Sequence, residues 1–425
     1  MHHDATFFLI TCSALVLFMT PGLAFFYGGL VRVQSVVSMM MMSIGSLGLI
    51  AVLWIFYGYA VSFGDPTAGG FIGWPGVFGF EPGKLFFADA LKSSLAGDGF
   101  PMVFGGFQGT FAIITVALIS GAIADRAKFG SWMLFAALWA TIVYFPVASW
   151  VFNFKSDNGK VVSGGWLVHN VGLLDFAGGT VVEVSSGASA LAVALVVGKR
   201  FGFSKGMHAP HNVPLVLIGV AILWFGWLGF NAGSELAADG TASLAFINTL
   251  AAPSGAMLSW AVYEKIAHRK ATAIGVASGA VAGAVAITPA CAFITPIWAL
   301  VLGAIVGVVC ALAIELKFSL GFDDSLDVVG VHLVAGLVGT LFIGLVGNNV
   351  GLIQGAGAAQ LGRQTIGCVA VGVFAFVASW LIAQAIQKTI GFRISTMDEI
   401  AGVDLLQHGQ SAYGGEDPRW TWRSS

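Results

Sequence analysis

Charged residues are scarce in this sequence. Asp, Glu, Lys and Arg together make up 9% of its 425 residues, whereas a soluble domain carries about 25%. The stretch from Val33 to Gly64 contains no charged residue, and about 18 such residues are enough to suggest a membrane-spanning helix. This scarcity excludes a soluble domain. The net charge of −2 and the lack of a basic patch give no indication of nucleic-acid binding.

Cysteine is also scarce, and its spacing argues against two kinds of site. The cysteines stand singly inside apolar segments, at Cys12, Cys291, Cys310 and Cys368. Their spacing is not typical of a metal site, and cysteines placed in this way do not indicate a disulfide framework. We therefore expect neither a metal nor a cofactor.

Apolar residues and glycine are abundant instead. The sequence is 57% hydrophobic, its mean hydropathy is +0.88 and it contains 58 glycines. Small residues of this kind let membrane helices pack closely. The start, "MHHDATFFLITCSALVLFMT", has no positively charged segment before its apolar run, which indicates a first spanning helix and not a signal peptide. The predicted fold class is an all-α polytopic membrane protein.

Hydropathy predicts eleven transmembrane helices followed by a polar tail. The predicted spans are 6–30, 35–63, 100–123, 130–151, 173–198, 213–233, 243–266, 272–290, 296–316, 327–347 and 364–391. Lys and Arg in the loops and the juxtamembrane tail divide twelve against five between the two sides, and the richer side faces the cytoplasm. We therefore expect the N-terminus outside and the C-terminus inside the cytoplasmic (inner) membrane. Residues 1–391 form the predicted membrane domain, and 392–425 form a cytoplasmic regulatory tail.

Two pairs of polar residues share one spacing. Glu183 follows Asp175 by eight residues, and His332 follows Asp324 by eight, with Asp327 beside the second pair. The pairs open spans five and ten, which are an odd number of spans apart and therefore cross the membrane in opposite directions. This predicts an inverted five-helix repeat, about 6–198 and 213–347, plus a terminal helix. In such repeats the equivalent residues lie near the bilayer midplane.

Glu183 and His332 are the only strongly ionisable side chains near the predicted middle of a span. An ionised carboxylate at that depth costs ~2.5–3.5 kcal/mol on insertion scales. A lone buried histidine is more often a satisfied core group, and a lone glutamate can be a polar contact between helices. The presence of both at repeat-related positions favours a shared polar site that passes a proton between them.

Aromatic residues supply a second group of candidates. Phe107 and Phe111 are four residues apart and Trp227 and Phe230 are three apart, so each pair shares a helix face. Ser234 lies one turn beyond Phe230. Packing is the ordinary role of such rings. Here polar residues are interleaved with them, and rings with hydroxyl oxygens suit a small dehydrated cation.

Five segments resemble the motifs of the ammonium transporter family, the Amt/Mep/Rh proteins. They occur in the family's order and read "LVLFMTPGLAFFYGGLVR", "FQGTFAIITVALISGAIADR", "DFAGGTVV", "GWLGFNAGS" and "DVVGVH". The resemblance implies a homotrimer of eleven-helix protomers in the lipid bilayer, each with its own narrow hydrophobic pore, and no enzyme activity. The implied substrate is ammonium, which is recruited outside, deprotonated near a gate and conducted as ammonia.

The resemblance also implies a role for each candidate aromatic residue. Phe111 and Phe230 resemble the stacked phenylalanine gate below the outer vestibule of the family. Phe107 and Ser234 resemble vestibule residues that meet the incoming cation. Trp227 resembles a residue that lines the upper pore.

Two positions depart from the family pattern. Glu183 stands where the family usually has the first of two hydrogen-bonded pore histidines, with His332 as the second, and some fungal members carry the same exchange. Asp175 resembles the family's aspartate near the outer mouth, which holds helix ends. The second departure concerns the vestibule tryptophan of the family. Counting back from Asp175 without gaps places Ser163 at its position, and we expect Trp166 to take its place.

Three classes of function are compatible with a membrane protein of this kind. The leading hypothesis is ammonium uptake with a proton relay through Glu183 and His332. The alternative is an ammonium sensor of the same fold that signals through its tail. A fused kinase or cyclase domain would favour this alternative. An intramembrane enzyme is the third class. No nucleophile–base motif supports it, and "HAPH" at His208–His211 is expected to be loop.

The tail segment "EIAGVDLLQHGQSAY" resembles the regulatory segment of bacterial family members. In the family this segment lies along the inner face of the trimer and helps to dock PII-type signalling proteins. We expect Gly402 to supply a turn conformation and Asp404 to cap a following turn. We also expect the tail to contact a neighbouring protomer. Its expected apolar face consists of Ile400, Val403, Leu405 and Leu406.

Overall fold

The fold is described here from a computed structural model that covers residues 3–65, 81–157, 160–203 and 209–413. Long helical segments occupy all eleven predicted positions. Their bounds are His3–Leu30, Val33–Phe63, Phe100–Ile123, Phe129–Phe152, Gly179–Val197, Val213–Gly233, Gly240–Ala267, Ala273–Ile287, Pro296–Leu320, Val329–Val346 and Ala359–Thr389. Within the described ranges, nine of these are long and apolar enough to cross a membrane. Gly240–Ala267 and Ala273–Ile287 are not among the nine, so the eleven-span count stays a prediction.

Shorter elements lie between the long helices and after them. They are the 3₁₀ helix Pro82–Phe87, the helix Ala88–Leu95, the π-helical turn Leu167–Val171, and the tail helices Thr396–Ala401 and Val403–His408. Two antiparallel strands, Phe154–Asp157 and Lys160–Gly164, form a hairpin. The described chain is nevertheless predominantly helical, in agreement with the predicted fold class. The sequence between the strands contains Asn-Gly, which is a strong signal for a tight hairpin.

Gly179–Val197 is the most enclosed of the nine candidate spans, since 83% of its apolar 18-residue stretch is buried, against 39% for Ala359–Thr389. We call Gly179–Val197 the glutamate helix and Val329–Val346 the histidine helix. They meet through two glycines, each four residues after its ionisable residue. A Cβ on Gly187 would lie 2.4 Å from the backbone nitrogen of Leu333, and a Cβ on Gly336 would lie 2.8 Å from the Cβ of Glu183. Only glycine allows the two backbones to approach this closely.

The tail folds back onto the inner ends of the same chain. Both carboxylate oxygens of Asp404 accept hydrogen bonds from backbone N–H groups at the start of the second long helix, from Val37 at 2.9 Å and from Ser38 at 2.7 Å. Asp404 therefore caps a helix more than 360 positions away and not its own turn, so the expectation of a local cap is wrong. Gly402 has φ of +114°, as expected for a turn that other residues avoid.

The apolar face predicted for the tail is only partly buried. Val403 is buried, whereas Ile400, Leu405 and Leu406 are exposed. The tail contacts described here lie within one chain, and the predicted contact with a neighbouring protomer stays a prediction. At its end, the hydroxyl of Tyr413 lies 2.8 Å from Nε2 of His211. His211 therefore contacts the tail, and His208 lies outside the described residues.

A network of buried charges ties the inner loops together. Arg126 is fully buried and donates to the carbonyl oxygens of Gly198 and Asp323. Burial lowers the pKa of Arg126 to about 10. Arg200 forms ion pairs with Asp125 at 3.1 Å and with Asp323 at 2.8 Å. Burial would raise the pKa of Asp323, but the hydrogen bonds and charges of Arg200 and Arg126 hold it below its ordinary value.

Candidate functional site

Glu183 and His332 meet inside the helical bundle. The Oε2 atom of Glu183 lies 2.7 Å from Nδ1 of His332, and both side chains are buried. The second carboxyl oxygen, Oε1, has no hydrogen-bond partner among the described residues. A hydrogen bond that involves a charged group stabilises by about 1.5–3 kcal/mol. This is similar to the cost of placing a carboxylate in a membrane, about 2.5–3.5 kcal/mol.

The two helices that carry this pair begin in the same way. The glutamate helix opens with the π-helical turn Gly179–Val184 and the histidine helix with the π-helical turn Val329–Leu333. π-helical turns are rare and occur often at functional sites. A capping aspartate stands a few residues before each turn, Asp175 before the first and Asp324 before the second, so the two helix starts are built alike.

Asp175 caps the glutamate helix. Its Oδ1 accepts from the backbone N–H groups of Gly178 and Gly179, and its Oδ2 accepts from the backbone and the hydroxyl of Thr180. These bonds satisfy N–H groups that no helical carbonyl reaches. They also place a negative charge at the positive end of the helix dipole.

Asp324 caps the histidine helix with one oxygen. Its Oδ2 accepts from the backbone N–H of Val329 at 2.7 Å, and its Oδ1 has no partner among the described residues. Burial raises the pKa of Asp324 to about 6. Asp327 forms an ion pair with the buried Lys317, whose ammonium also donates to the Asp324 carbonyl oxygen. The matched caps support the predicted inverted repeat locally, and the repeat as a whole stays a prediction.

Aromatic rings are stacked above the pair. The ring centroids of Phe111 and Phe230 are 4.1 Å apart with 30° between the ring planes. Phe107 lies 4.8 Å from Phe111, and Trp227 lies 5.8 Å from Phe230. Phe107, Phe111 and Phe230 are each no more than 1% exposed. The three phenylalanine rings are therefore enclosed within the helical bundle.

A narrow cavity connects the rings with the pair. Glu183, His332, Trp227 and Phe230 all line it, and every lining residue except Glu183 and His332 is apolar. Its volume is about 10 Å³, which is about the space that one buried water needs. The cavity is therefore narrow and mostly apolar, and its two polar side chains face each other.

Two predicted site residues use their polar atoms within the protein. Ser234 donates its hydroxyl to the carbonyl oxygen of Phe230 at 2.9 Å, and Trp227 donates its indole N–H to the hydroxyl of Thr288 at 2.8 Å. Ser234 keeps its oxygen lone pairs as acceptors. Thr288 was not predicted from the sequence, because its contact with Trp227 joins segments 61 positions apart.

The sequence also missed Phe152. Its ring centroid lies 6.5 Å from that of Phe111, at 85° between the planes. Trp166 instead packs against Trp150 at 5.6 Å, and Trp150 packs against Phe374 of the last long helix at 4.8 Å. No ring contact joins Trp166 to the stacked phenylalanines within the part of the chain that the structure describes. Counting back from Asp175 with the hairpin residues left out could have found Phe152.

The chain is similar to known proteins along most of its length. Residues 7–413 match the model of the Ammonium Transporter Family. The chain belongs to this family. It is 49% identical to an ammonium transporter of Mycobacterium tuberculosis, over 96% of this chain and 90% of that protein.

Solved structures of family members have the same fold. A structure described as a sensor Amt protein has a TM-score of 0.86 at 26% identity and covers 95% of this chain and 98% of its own. Saccharomyces cerevisiae Mep2 has a TM-score of 0.82 at 32% identity and covers 92% of this chain and 87% of its own. The chain is thus a helical, multi-pass membrane protein of the ammonium transporter family.

Proposed function

We propose that the protein takes up ammonium across the cytoplasmic membrane. The observation that carries the proposal is the 2.7 Å contact between Glu183 and His332 in a narrow, mostly apolar cavity that Phe230 of the stacked ring pair also lines. The family membership of the chain supports the choice of substrate. The resemblance further supports a homotrimer, with the N-terminus outside and the C-terminus inside.

The ion loses its charge before it enters the cavity. Apart from Glu183 and His332 the cavity walls are apolar, so they replace little of the hydration of a cation, and a charge in such a medium is costly. Neutral ammonia has no such cost. The ammonium ion therefore gives up a proton near Phe230, and ammonia moves through the cavity.

The proton moves by way of the polar side chains of Glu183 and His332. A carboxyl and an imidazole in contact titrate as one coupled unit and hold a proton between them. Glu183 accepts the proton on the outer side, and His332 passes it inward. Potassium resembles ammonium in size and charge, so the outer site alone cannot separate the two ions. Potassium has no proton to give, and the deprotonation step therefore excludes it.

The sensor function is the second candidate, and the similarity to the sensor Amt structure favours it. Current recordings on reconstituted protein separate the two. Ammonium pulses on a solid-supported membrane give a sustained, concentration-dependent current if the protein transports an ion or its proton. Binding of ammonium without current or uptake would support the sensor.

We also propose that the tail adjusts transport and that a PII-type protein docks at the inner face. The capping of the second long helix by Asp404 supports this, because any movement of the tail uncaps that helix. The test is retention of the cell's own PII protein on the immobilised protein with ATP, ADP or 2-oxoglutarate. Failure to retain it under every condition would contradict the docking.

A further inference from the structure

The last long helix contacts the segment that leads into Asp175. Residues 172–175 lie in neither a helix nor a strand, so their backbone groups need partners from elsewhere in the chain. Gln364 supplies both partners for Leu174. Its Oε1 accepts from the Leu174 N–H at 2.9 Å, and its Nε2 donates to the Leu174 carbonyl oxygen at 2.6 Å. The side-chain amide thus pairs with the backbone of one residue in both directions, as a neighbouring strand would.

The same amide reaches the histidine helix. The Nε2 of Gln364 also donates to the carbonyl oxygen of Thr340 at 3.1 Å, and its Oε1 also accepts from Nε2 of Gln360 at 2.8 Å. A glutamine amide has two N–H donors and two acceptor lone pairs, so all of them are used here. Gln364 is fully buried. A buried amide that makes all its hydrogen bonds specifies one arrangement of the segments it joins.

Thr340 marks a place where the glutamate helix touches the histidine helix. A Cβ on Gly179, the first residue of the glutamate helix, would lie 2.8 Å from Oγ1 of Thr340. The N–H of Gly179 donates to the capping carboxylate of Asp175. Gln364 therefore holds the segment before the cap against the helix that carries His332.

A glycine lets the last long helix come this near. A Cβ on Gly367 would lie 2.5 Å from Cδ1 of Leu173, so only glycine leaves room for that side chain. One turn before Gln364, the side chain of Gln360 donates to the carbonyl oxygen of Gly172 at 3.1 Å. The first turns of the last long helix are thus fastened along residues 172–174 and not at a single point.

We propose that Gln364 is a positioning residue for the Glu183–His332 pair. This inference rests on the proposed transport function. Gln364 acts through the segment of Asp175, which caps the helix of Glu183, and through Thr340, which lies on the helix of His332. Loss of the amide frees these two helices to shift against each other, and a hydrogen bond weakens steeply with distance and angle. The last long helix thereby takes part in transport, although it lies outside the predicted repeat.

The experiment measures ammonium-evoked current on the full chain in proteoliposomes, normalised to the folded protein seen in size-exclusion profiles. Gln364→Met keeps a long, unbranched side chain without the amide. Gln364→Glu keeps an acceptor for the Leu174 N–H. Its protonated form also donates to a carbonyl oxygen, whereas its ionised form faces the carbonyl oxygens of Leu174 and Thr340 without a proton to donate. Thr365→Val is the control, since Thr365 is exposed and its hydroxyl bonds to Leu361 of the same helix.

We expect Gln364→Met to lower the maximal current at least about tenfold and to leave the half-saturating ammonium concentration within about twofold. For Gln364→Glu, the ratio of its maximal current to that of the wild type should fall severalfold between about pH 5 and about pH 8, as the new carboxyl loses its proton. Every other titratable group is common to both proteins, Asp175 and Arg363 on the two joined segments included, so the ratio reports the new carboxyl. Thr365→Val should match the wild type.

A maximal current of Gln364→Met equal to that of the wild type overturns the proposal. So does a Gln364→Glu ratio that stays constant with pH, because it identifies a packing role. This second comparison decides the question alone if Gln364→Met does not fold. Absence of any current in the wild type refutes the transport function itself, which is a separate result.

Discussion

The carboxyl of Glu183 reaches His332 with one oxygen, at 2.7 Å, while its other oxygen has no partner among the described residues. One oxygen thus orients the imidazole, and the other is available to a proton donor in the cavity. A glutamine can keep the first contact, but it cannot accept and release a proton at neutral pH. This difference separates a structural role from a relay.

We therefore expect Glu183→Gln to abolish most of the ammonium-evoked current while the protein stays folded. Current recordings and size-exclusion profiles check the two parts. Glu183→His is expected to keep current with a shifted pH profile, since the pair then consists of two histidines. A glutamine variant with the current and pH dependence of the wild type would exclude the relay.

A second prediction concerns the contact of Gly336 with the glutamate helix. A Cβ there would lie 2.8 Å from the Cβ of Glu183, so Gly336→Ala forces the two helices apart. We expect at least a tenfold loss of maximal current, because hydrogen bonds weaken steeply with distance and angle. Gly362→Ala is the matched control, since nothing lies within 4 Å of its added Cβ. Equal currents in the two variants would show that the pair tolerates displacement.

Selectivity provides a third prediction. Phe230→Ala removes one of the two stacked gate rings, and Glu183→Asp shortens the relay carboxyl. Both enlarge the narrow cavity and let more water in, and a hydrated cavity no longer requires deprotonation. We expect both variants to support growth at limiting potassium in a strain without its own potassium transporters. Phe225→Ala, on the exposed side of the same helix as Phe230, is the control and should not. No growth with either variant would mean that other rings exclude potassium.

The tail carries a fourth prediction. Truncation after Arg393 removes the cap on Val37 and Ser38 and also the partner of the Phe129 N–H, which donates to Gln407 at 2.6 Å. Unpaired backbone groups at a helix start destabilise it by about 0.5–2 kcal/mol. We expect severalfold lower uptake per protein in the membrane, measured by uptake and immunoblot.

Two substitutions refine the test of the tail. Gly402→Asp should lower uptake like the truncation, because φ of +114° disfavours other residues and a Cβ there would lie 2.6 Å from the Cβ of Gln34. Met397→Ser is the control, since Met397 is exposed on the preceding tail helix Thr396–Ala401 and is not part of the predicted apolar face. Full uptake by the truncated protein would refute the regulatory role.

The fifth prediction concerns pH. The pKa of Asp324 is raised to about 6 by burial, with Lys317 opposing and Asp327 adding to the shift. A raised carboxyl pKa means that the folded state binds the proton more tightly than the unfolded state. The resulting stabilisation is complete below the ordinary value of 3.8 and is lost as the pH rises through about 6.

Asp324→Asn cannot ionise and keeps a capping oxygen. Relative to the wild type, its melting temperature in detergent should therefore rise by roughly 2–4 °C between pH 4.5 and pH 7. Asp157→Asn, at an exposed strand position, should show no such change. A pH-independent difference for Asp324→Asn would mean that Asp324 ionises in the folded protein as it does in the unfolded chain.

Hydropathy and motif order determined the positions of the long helices, because a membrane requires apolar segments that are continuous in sequence. The eight-residue spacings also indicated that Glu183 and His332 belong together. The sequence did not indicate the π-helical turns or the glycine contacts that bring the pair to 2.7 Å. These depend on how two helices pack, which no pattern local to either helix records.

Tertiary structure alone decided which residues lie at the outer gate and at the inner cap. Phe152 and not Trp166 contacts Phe111, because a hairpin lies between the fourth long helix and Asp175. Asp404 caps the second long helix, although its own sequence context predicts a local turn. Composition and spacing describe neighbours along the chain, whereas ring contacts and caps between distant segments exist only once the helices have packed.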